Sequence, residues 1–186
     1  MKVDGQWYVG PKEYGVGPER QMAFFWPSRT PARGEAAASE VAKRPAANPY
    51  GQLVEIFFRS EDKLIDAKPQ TPRANALIRL AEANGWISER TTLRKGLDRI
   101  TMKPVETPWG ARIDHVTYYV ATELRGADGL PPVATCSKAD SRDGGGFGIS
   151  WKQGVVVGTR MSQYHCSDFP EVYIEAVRVL NQLKKV

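Results

Sequence analysis

The amino-acid sequence predicts an α+β fold with a largely antiparallel sheet and two main helices packed on one face of it. Three observations support this prediction. Strand patterns come before a helical segment, more strand patterns follow it, and a second helical segment ends the chain. Glycine and proline pairs separate the strand patterns. Each helical segment carries one apolar stripe with the spacing of an α-helix.

Size and composition predict one globular domain that spans residues 1–186. Of the 186 residues, 41% are hydrophobic and 25% are charged, which is ordinary for a folded protein. A chain of this length buries enough surface on folding to form its own core. The longest unbroken apolar stretches, such as Met22–Trp26, are much shorter than a membrane helix. We therefore expect a soluble protein without a membrane span.

The first part of the chain alternates strands with a long turn-rich segment. Gln6–Val9 and Arg20–Trp26 are rich in the aromatic residues that strands favour, and Leu53–Arg59 has the composition of a central strand. Residues 27–49 instead contain four prolines and no apolar period. This composition predicts a long, mobile surface loop or insertion, with one short helical turn around Ala36–Lys43.

The first main helix is predicted to begin near Thr71 and to end at Gly85. The Thr71 side chain would accept hydrogen bonds from the first free backbone N–H groups, and Pro72 suits the first helical position. Asn84 and Gly85 form a typical C-terminal stop. We expect the apolar stripe of this helix to pack in the core. The stripe consists of Ala74, Leu77, Ile78 and Ala81.

Several strands are expected between this helix and the end of the chain. In the predicted strand Ile113–Leu124, Val116, Tyr118 and Val120 share one face because successive side chains of a strand alternate. The glycine-rich stretch Asp143–Gly148 is interpreted as a turn, since no helix follows it to bind a phosphate. The predicted strands are Arg99–Lys103, Ile113–Leu124, Pro132–Ser137, Phe147–Trp151 and Val155–Met161.

The last helix is the clearest element of the sequence. Asp168 and Glu171 have the spacing of a capping box, with Asp in place of Ser or Thr. Lys184 and Lys185 are expected to end the helix, where positive charge suits the helix dipole. Its apolar stripe predicts burial against the sheet. The stripe consists of Phe169, Val172, Tyr173, Ala176, Val177, Leu180 and Leu183.

The two cysteines of the chain are predicted to form a disulfide. Cys136 ends a predicted strand and Cys166 lies directly before the last helix, so a bond between them would tie the helix to the sheet. Disulfides persist in oxidising compartments. The first residues lack the apolar stretch of a signal peptide. We nevertheless expect a periplasmic or secreted protein, with a cytoplasmic protein as the alternative.

The sequence contains no motif that would support a specific chemistry. His115 and His165 are the two histidines of the chain, too few for a typical zinc site, and no phosphate-binding loop is present. Cys166 follows His165 directly, and adjacent residues on an extended strand point to opposite faces. We therefore expect neither a metal nor a cofactor. The alternative is an enzyme of unfamiliar scaffold that uses His115 or His165.

Aromatic residues beside turns are the remaining functional signal. Trp7 and Tyr8 precede a Gly-Pro turn, Trp109 lies between a proline and a glycine, and Trp151 precedes a predicted hairpin tip. Such side chains anchor many protein interfaces, and they also pack in β-rich cores. We predict that these four residues contact a protein partner, with Trp109 as the first candidate.

These observations favour a non-enzymatic domain that binds another protein. The class that fits best is a periplasmic inhibitor, such as an immunity protein that neutralises a secreted bacterial toxin. Nucleic-acid binding is a weaker alternative. The chain has 26 basic and 21 acidic residues, but the two signs are mixed along it and no recognition motif accompanies them.

Overall fold

The computed structural model describes residues 2–3, 6–15, 21–44, 52–58, 71–108, 110, 112–137, 144–152 and 155–186. The strands are β1 (Lys2–Val3), β2 (Gln6–Val9), β3 (Gln21–Phe25), β4 (Leu53–Phe57), β5 (Ile87–Arg94), β6 (Leu97–Met102), β7 (Val116–Ala121), β8 (Val133–Ser137), β9 (Gly145–Lys152), β10 (Val155–Arg160) and β11 (Lys184–Lys185). The helices are α1 (Glu35–Ala42), α2 (Arg73–Asn84) and α3 (Phe169–Leu180), with 3-10 helices at Lys12–Tyr14 and Gln163–Asp168.

Eight of these strands form one antiparallel sheet in the order β3-β4-β10-β9-β8-β7-β6-β5. Strands β5 to β10 follow the chain as successive neighbours, the arrangement that short antiparallel connections produce. The tightest described connection is Lys95-Gly96 between β5 and β6, where Gly96 has a φ of 81° that favours glycine. The predicted α+β class and the antiparallel sheet are thus confirmed.

The two main helices lie on opposite faces of the sheet, which corrects the expectation that they share one face. Ile100 and Met102 of β6 pack with α2, whereas Leu97 of the same strand packs in the cluster that contains α3. Residues an odd number of positions apart on a strand point to opposite faces. Both faces of this sheet are apolar, so each face needs its own cover.

Helix α3 buries its predicted stripe, but both of its ends differ from the prediction. The helix ends at Leu180, and Lys184 and Lys185 form strand β11 instead. No side chain caps its start, because Asp168 accepts a hydrogen bond from Trp26 Nε1 at 3.1 Å and Glu171 forms an ion pair with Arg94. The buried members of the stripe are Phe169, Val172, Tyr173, Ala176, Leu180 and Leu183.

Helix α2 ends as predicted at Gly85, which has a φ of 65°. Its start is different: the first helical residue is Arg73, Pro72 takes the capping position, and no side chain caps the helix. The Thr71 hydroxyl therefore does not play the predicted role. Leu77, Ile78 and Ala81 are buried against the sheet as expected.

The described part of the predicted surface segment, residues 27–44, contains an eight-residue helix where a short turn was expected. Most of its side chains are exposed. Backbone hydrogen bonds join it to its surroundings, from Ala32 N–H to Ala23 C=O at 3.1 Å and from Arg33 N–H to Glu13 C=O at 2.9 Å. Residues 45–49 lie outside the described residues.

A second sheet of three short strands brings the two ends of the described chain together. Its order is β1-β2-β11, and both neighbouring pairs are antiparallel. In the register, Val9 lies opposite Lys184 and Tyr8 lies opposite Lys185. The backbone N–H of Val186 donates to the Trp7 carbonyl at 3.1 Å, which extends the pairing to the last residue.

Candidate functional site

The disulfide between Cys136 and Cys166 fixes the turn before α3 to strand β8. Both cysteines are buried. The neighbouring strand approaches so closely that a Cβ atom on Gly145 would lie 3.0 Å from Cys136 Sγ and 3.3 Å from Cys166 Sγ. The predicted pairing is present, and Cys166 is therefore not a free thiol that His165 could activate.

Two of the four predicted partner-binding residues, Tyr8 and Trp151, are buried in the core. Their ring centroids are 5.4 Å apart, and Trp151 Nε1 donates to Asn181 Oδ1 at 3.1 Å. The ammonium group of Lys152 lies over both rings, 3.9 Å from the Trp151 centroid and 4.7 Å from that of Tyr8. This placement matches the core-packing alternative for these two residues. Trp109 lies outside the described residues.

Trp7 projects to solvent because it alternates with Tyr8 along strand β2. Its side chain is 56% exposed, and Val9 on the same face is 59% exposed. Across the pairing, Lys184 is the partner of Val9 and Val186 lies next to Trp7. Directly paired residues of antiparallel strands share a face. We call the surface formed by Trp7, Val9, Lys184 and Val186 the terminal face.

The terminal face concentrates exposed apolar surface. Trp7, Val9 and Val186 are three of the five large hydrophobic side chains that are exposed in the described part of the chain, the others being Leu93 and Ile174. Single exposed hydrophobic residues are normal on a protein surface, whereas adjacent ones mark interaction sites. The sequence suggested Trp7 but gave no sign that the last residues of the chain would pair beside it.

The two histidines differ in their exposure to solvent. His165 is buried, its Nε2 atom has no hydrogen-bond partner among the described residues, and burial lowers its pKa. The nearby Asp168 carboxylate opposes this shift, and the Arg44 guanidinium reinforces it. His115 is exposed and lies at the mouth of a cleft.

This cleft has a volume of about 450 Å³ and lies on the α2 face of the large sheet. We call it the α2 cleft. Burial raises the pKa of Tyr118 to about 12, so the phenol stays protonated and its hydroxyl faces the Ile113 carbonyl at 3.4 Å. The described lining residues are Arg73, Ala74, Leu77, Arg112, Ile113, His115, Val116, Tyr118, Thr135, Gly146, Phe147, Gly148 and Thr159.

Sequence reasoning noticed His115 but missed the α2 cleft. The lining comes from the start of α2, the loop before β7 and strands β7 to β10, and its first and last residues, Arg73 and Thr159, are 86 positions apart in sequence. No local pattern relates such positions. Among the described residues, no group of three or more histidine, cysteine, aspartate or glutamate side chains is placed to hold a metal ion.

Comparison with known proteins reveals a likeness of fold. The sequence matches no protein-family model and no curated protein. A solved structure of an immunity protein of the Stenotrophomonas maltophilia type IV secretion system is similar, with a TM-score of 0.57 and 14% sequence identity. The similarity covers 100% of this chain and 92% of that one. No helix in the described part of the chain is long and apolar enough to span a membrane.

Proposed function

We propose that this protein is an immunity protein that binds and neutralises a secreted bacterial toxin outside the cytoplasm. The observation that carries the proposal is the similarity of fold to an immunity protein over the whole length of this chain. Fold alone does not determine function. Two features of the chain itself agree with the proposal, and each is independent of the comparison.

The first feature is the disulfide. A buried bond between Cys136 and Cys166 is typical of proteins that fold in an oxidising compartment. The periplasm is such a compartment, and it is a place where a bacterium would meet a toxin secreted by a competitor. The disulfide therefore supports a periplasmic location for this protein.

The second feature is the terminal face, which offers a protein partner an apolar centre. Trp is enriched among the residues that dominate binding energy, and Trp7 is exposed on this surface. A protein inhibitor of ordinary size buries about 800 Å² of its own surface. We propose that Trp7 anchors the toxin and that Lys184 at the same face favours an acidic partner.

The enzyme alternative has little support among the described residues. Cys166 is bonded, and His165 is buried beside it. His115 is exposed at the α2 cleft. An experiment on the enzyme alternative should therefore test for a reaction in this cleft that depends on His115.

The proposed function is tested by protection from a toxin. Proteins encoded beside this gene are directed one by one to the periplasm of a test bacterium, and those that stop growth are co-expressed with this protein. We expect one of them to lose its toxicity and to form a stable complex with the purified chain. The proposal fails if no such protein is bound while the purified chain turns over a substrate and loses that activity in His115→Ala.

A further inference from the structure

Helix α3 buries a carboxylate that packing alone does not explain. The Glu175 side chain is only 2% exposed, and a buried carboxylate is costly unless it is paired and hydrogen-bonded. Arg178, one turn later, supplies the partner. Its Nε atom donates to both carboxylate oxygens of Glu175 at 3.0 and 2.9 Å, and its Nη2 atom donates to Oε1. An apolar pair in such a place is often at least as stable, so stability does not account for the ion pair.

The pair fixes the direction of the Arg178 guanidinium. Nη2 also donates to the hydroxyl of the buried Tyr14 at 3.0 Å, so α3 and the 3-10 helix Lys12–Tyr14 hold the same group. These contacts use the Nε hydrogen and both Nη2 hydrogens, which are three of the five N–H donors of a guanidinium. The two Nη1 donors have no acceptor in the described part of the chain, and the side chain is 51% exposed. Arg178 therefore presents donors of fixed direction to solvent.

The ion pair at the other end of α3 has a different character. Arg94 pairs with Glu171, but there both side chains are well exposed, at 44% and 41%. A pair on the surface is weak and gains little from its geometry. Arg94 is therefore a matched comparison for Arg178, because it is an exposed arginine paired with a glutamate of the same helix, but one whose acidic partner is not buried.

Arg178 lies on the same side of the molecule as the terminal face. Helix α3 and the three-stranded sheet cover the same face of the large sheet, because their inner side chains belong to one hydrophobic cluster. Their outer surfaces therefore point the same way, and only residues 181–183 separate α3 from β11. Ile174, one turn before Arg178 on the same side of the helix, is 54% exposed. Exposed apolar surface thus continues from the terminal face onto α3.

We propose that the toxin interface extends from the terminal face along α3, where Arg178 donates to a backbone carbonyl of the toxin and Ile174 packs beside it. This inference rests on the proposed function. A standard interface takes roughly 20–30 residues from each partner, more than the terminal face supplies. The acceptor is a neutral carbonyl, because Glu175 already balances the charge of Arg178 and would repel a second carboxylate. Arginine is enriched among the residues that dominate binding energy.

The test compares Arg178→Lys with Arg94→Lys in calorimetric titrations with the toxin. Lysine keeps the charge at both positions but lacks the planar fork of donors. We expect Arg178→Lys to bind about tenfold more weakly, as for the loss of a hydrogen bond from a charged donor, and Arg94→Lys to bind like the wild type. The loss at Arg178 should be similar in about 0.05 M and about 0.5 M salt, because the acceptor is neutral. Equal affinities of the two variants, or a loss that disappears at high salt, would overturn the proposal.

Tyr14→Phe separates recognition from a purely structural role. This variant keeps every donor of Arg178 but removes one of the two groups that orient it, so we expect toxin binding to weaken about threefold. A variant that is less stable to urea but binds the toxin like the wild type would show that the contact is only structural. If Arg178→Lys does not fold, the double variant with Glu175→Gln and Arg178→Gln replaces it, since no buried carboxylate is left unpaired. The same loss of affinity is expected.

The wild-type protein separates this inference from the proposed function. If the wild type binds the toxin while Arg178→Lys and Arg94→Lys bind it equally well, only the extension along α3 is wrong. If the wild type binds none of the proteins encoded beside its gene, the proposed function fails and this inference fails with it.

Discussion

At the scale of single residues, exposure depends on which side of a strand a side chain occupies. Trp7 and Tyr8 are adjacent, yet Trp7 is exposed and Tyr8 is buried against Trp151. The sequence does not predict which of the two aromatic side chains faces solvent, because strand β2 is short and its pattern does not alternate between apolar and polar residues. Only the pairing with β11 reveals which ring faces solvent.

Replacing Trp7 tests its role as an anchor. We expect Trp7→Ala to weaken toxin binding by about 2 kcal/mol, roughly 30-fold, as for a residue that dominates an interface. Unfolding free energy should change by no more than about 0.5 kcal/mol, since the side chain is on the surface. Calorimetric titration with the toxin measures the affinity.

The matched control for this variant is Leu93→Ala, which removes an exposed apolar side chain from strand β5 at the edge of the large sheet. Its toxin affinity should equal that of the wild type. If both variants bind as tightly as the wild type, Trp7 is not an anchor.

His165 predicts a pH dependence of stability. Burial lowers its pKa in the folded state, so the unfolded chain binds a proton first as the pH falls. The free energy of unfolding is therefore unaffected by His165 above the unfolded pKa of about 6.5, where the side chain is neutral in both states. It decreases as the pH falls below that value, because the unfolded chain takes up the proton more readily. In urea unfolding at about pH 7.5 and about pH 5.5, His165→Gln should lose less stability between the two conditions than the wild type. An equal loss would show that His165 is not the responsible group.

At the scale of elements, periodic patterns predicted the interiors of helices but not their ends. The stripe of α3 is buried as expected, whereas its capping box is absent because Glu171 pairs with Arg94, a residue 77 positions away in sequence. Lys184 and Lys185 leave the helix for the same reason, since strand β2 from the start of the chain offers them a partner. Contacts between distant segments decide such boundaries, and no local sequence window contains them.

Helix α3 should be required for folding. Leu180 is fully buried, so Leu180→Ala should cost about 2–5 kcal/mol of unfolding free energy. Ile174→Ala on the exposed side of the same helix is the control and should cost no more than about 0.5 kcal/mol. Denaturant unfolding of both variants gives the comparison. Similar values for the two would mean that the helix does not pack as described.

The disulfide should stabilise the protein through its effect on the unfolded chain. It closes a loop with a sequence separation of 30, for which the chain-entropy model gives about 3.5 kcal/mol. We expect the double variant with Cys136→Ala and Cys166→Ala to lose about this much unfolding free energy. The wild type should show no reactive thiol after denaturation without a reductant. Two reactive thiols in periplasmic protein would contradict the assignment.

At the scale of the whole molecule, the fold class was readable from the sequence and the layering was not. An amphipathic stripe shows that a helix packs, but not against which face of a sheet. The unbroken apolar run Met22–Trp26 does contain part of the answer, because strands buried on both faces lose their alternation. A sheet apolar on both sides requires two layers of cover, and α2 and α3 provide them on opposite faces.

This arrangement gives the protein two separate surfaces. The terminal face is the outer face of the small sheet, whose inner residue Tyr8 packs against Trp151 in the cluster on the α3 side. The α2 cleft lies on the other side of the large sheet. A partner at one surface would therefore leave the other accessible. The net charge of +5 would favour encounter with an acidic partner at either place, an effect that should weaken as salt is added.

The most direct test of the central claim is the growth of bacteria that carry a periplasmic toxin from a neighbouring gene, with and without this protein. We predict that wild-type protein restores growth, that Leu93→Ala restores it equally, and that Trp7→Ala requires more protein for the same effect. The claim that this is an immunity protein would be contradicted if the folded, disulfide-bonded protein restored growth against none of the toxins from the neighbouring genes.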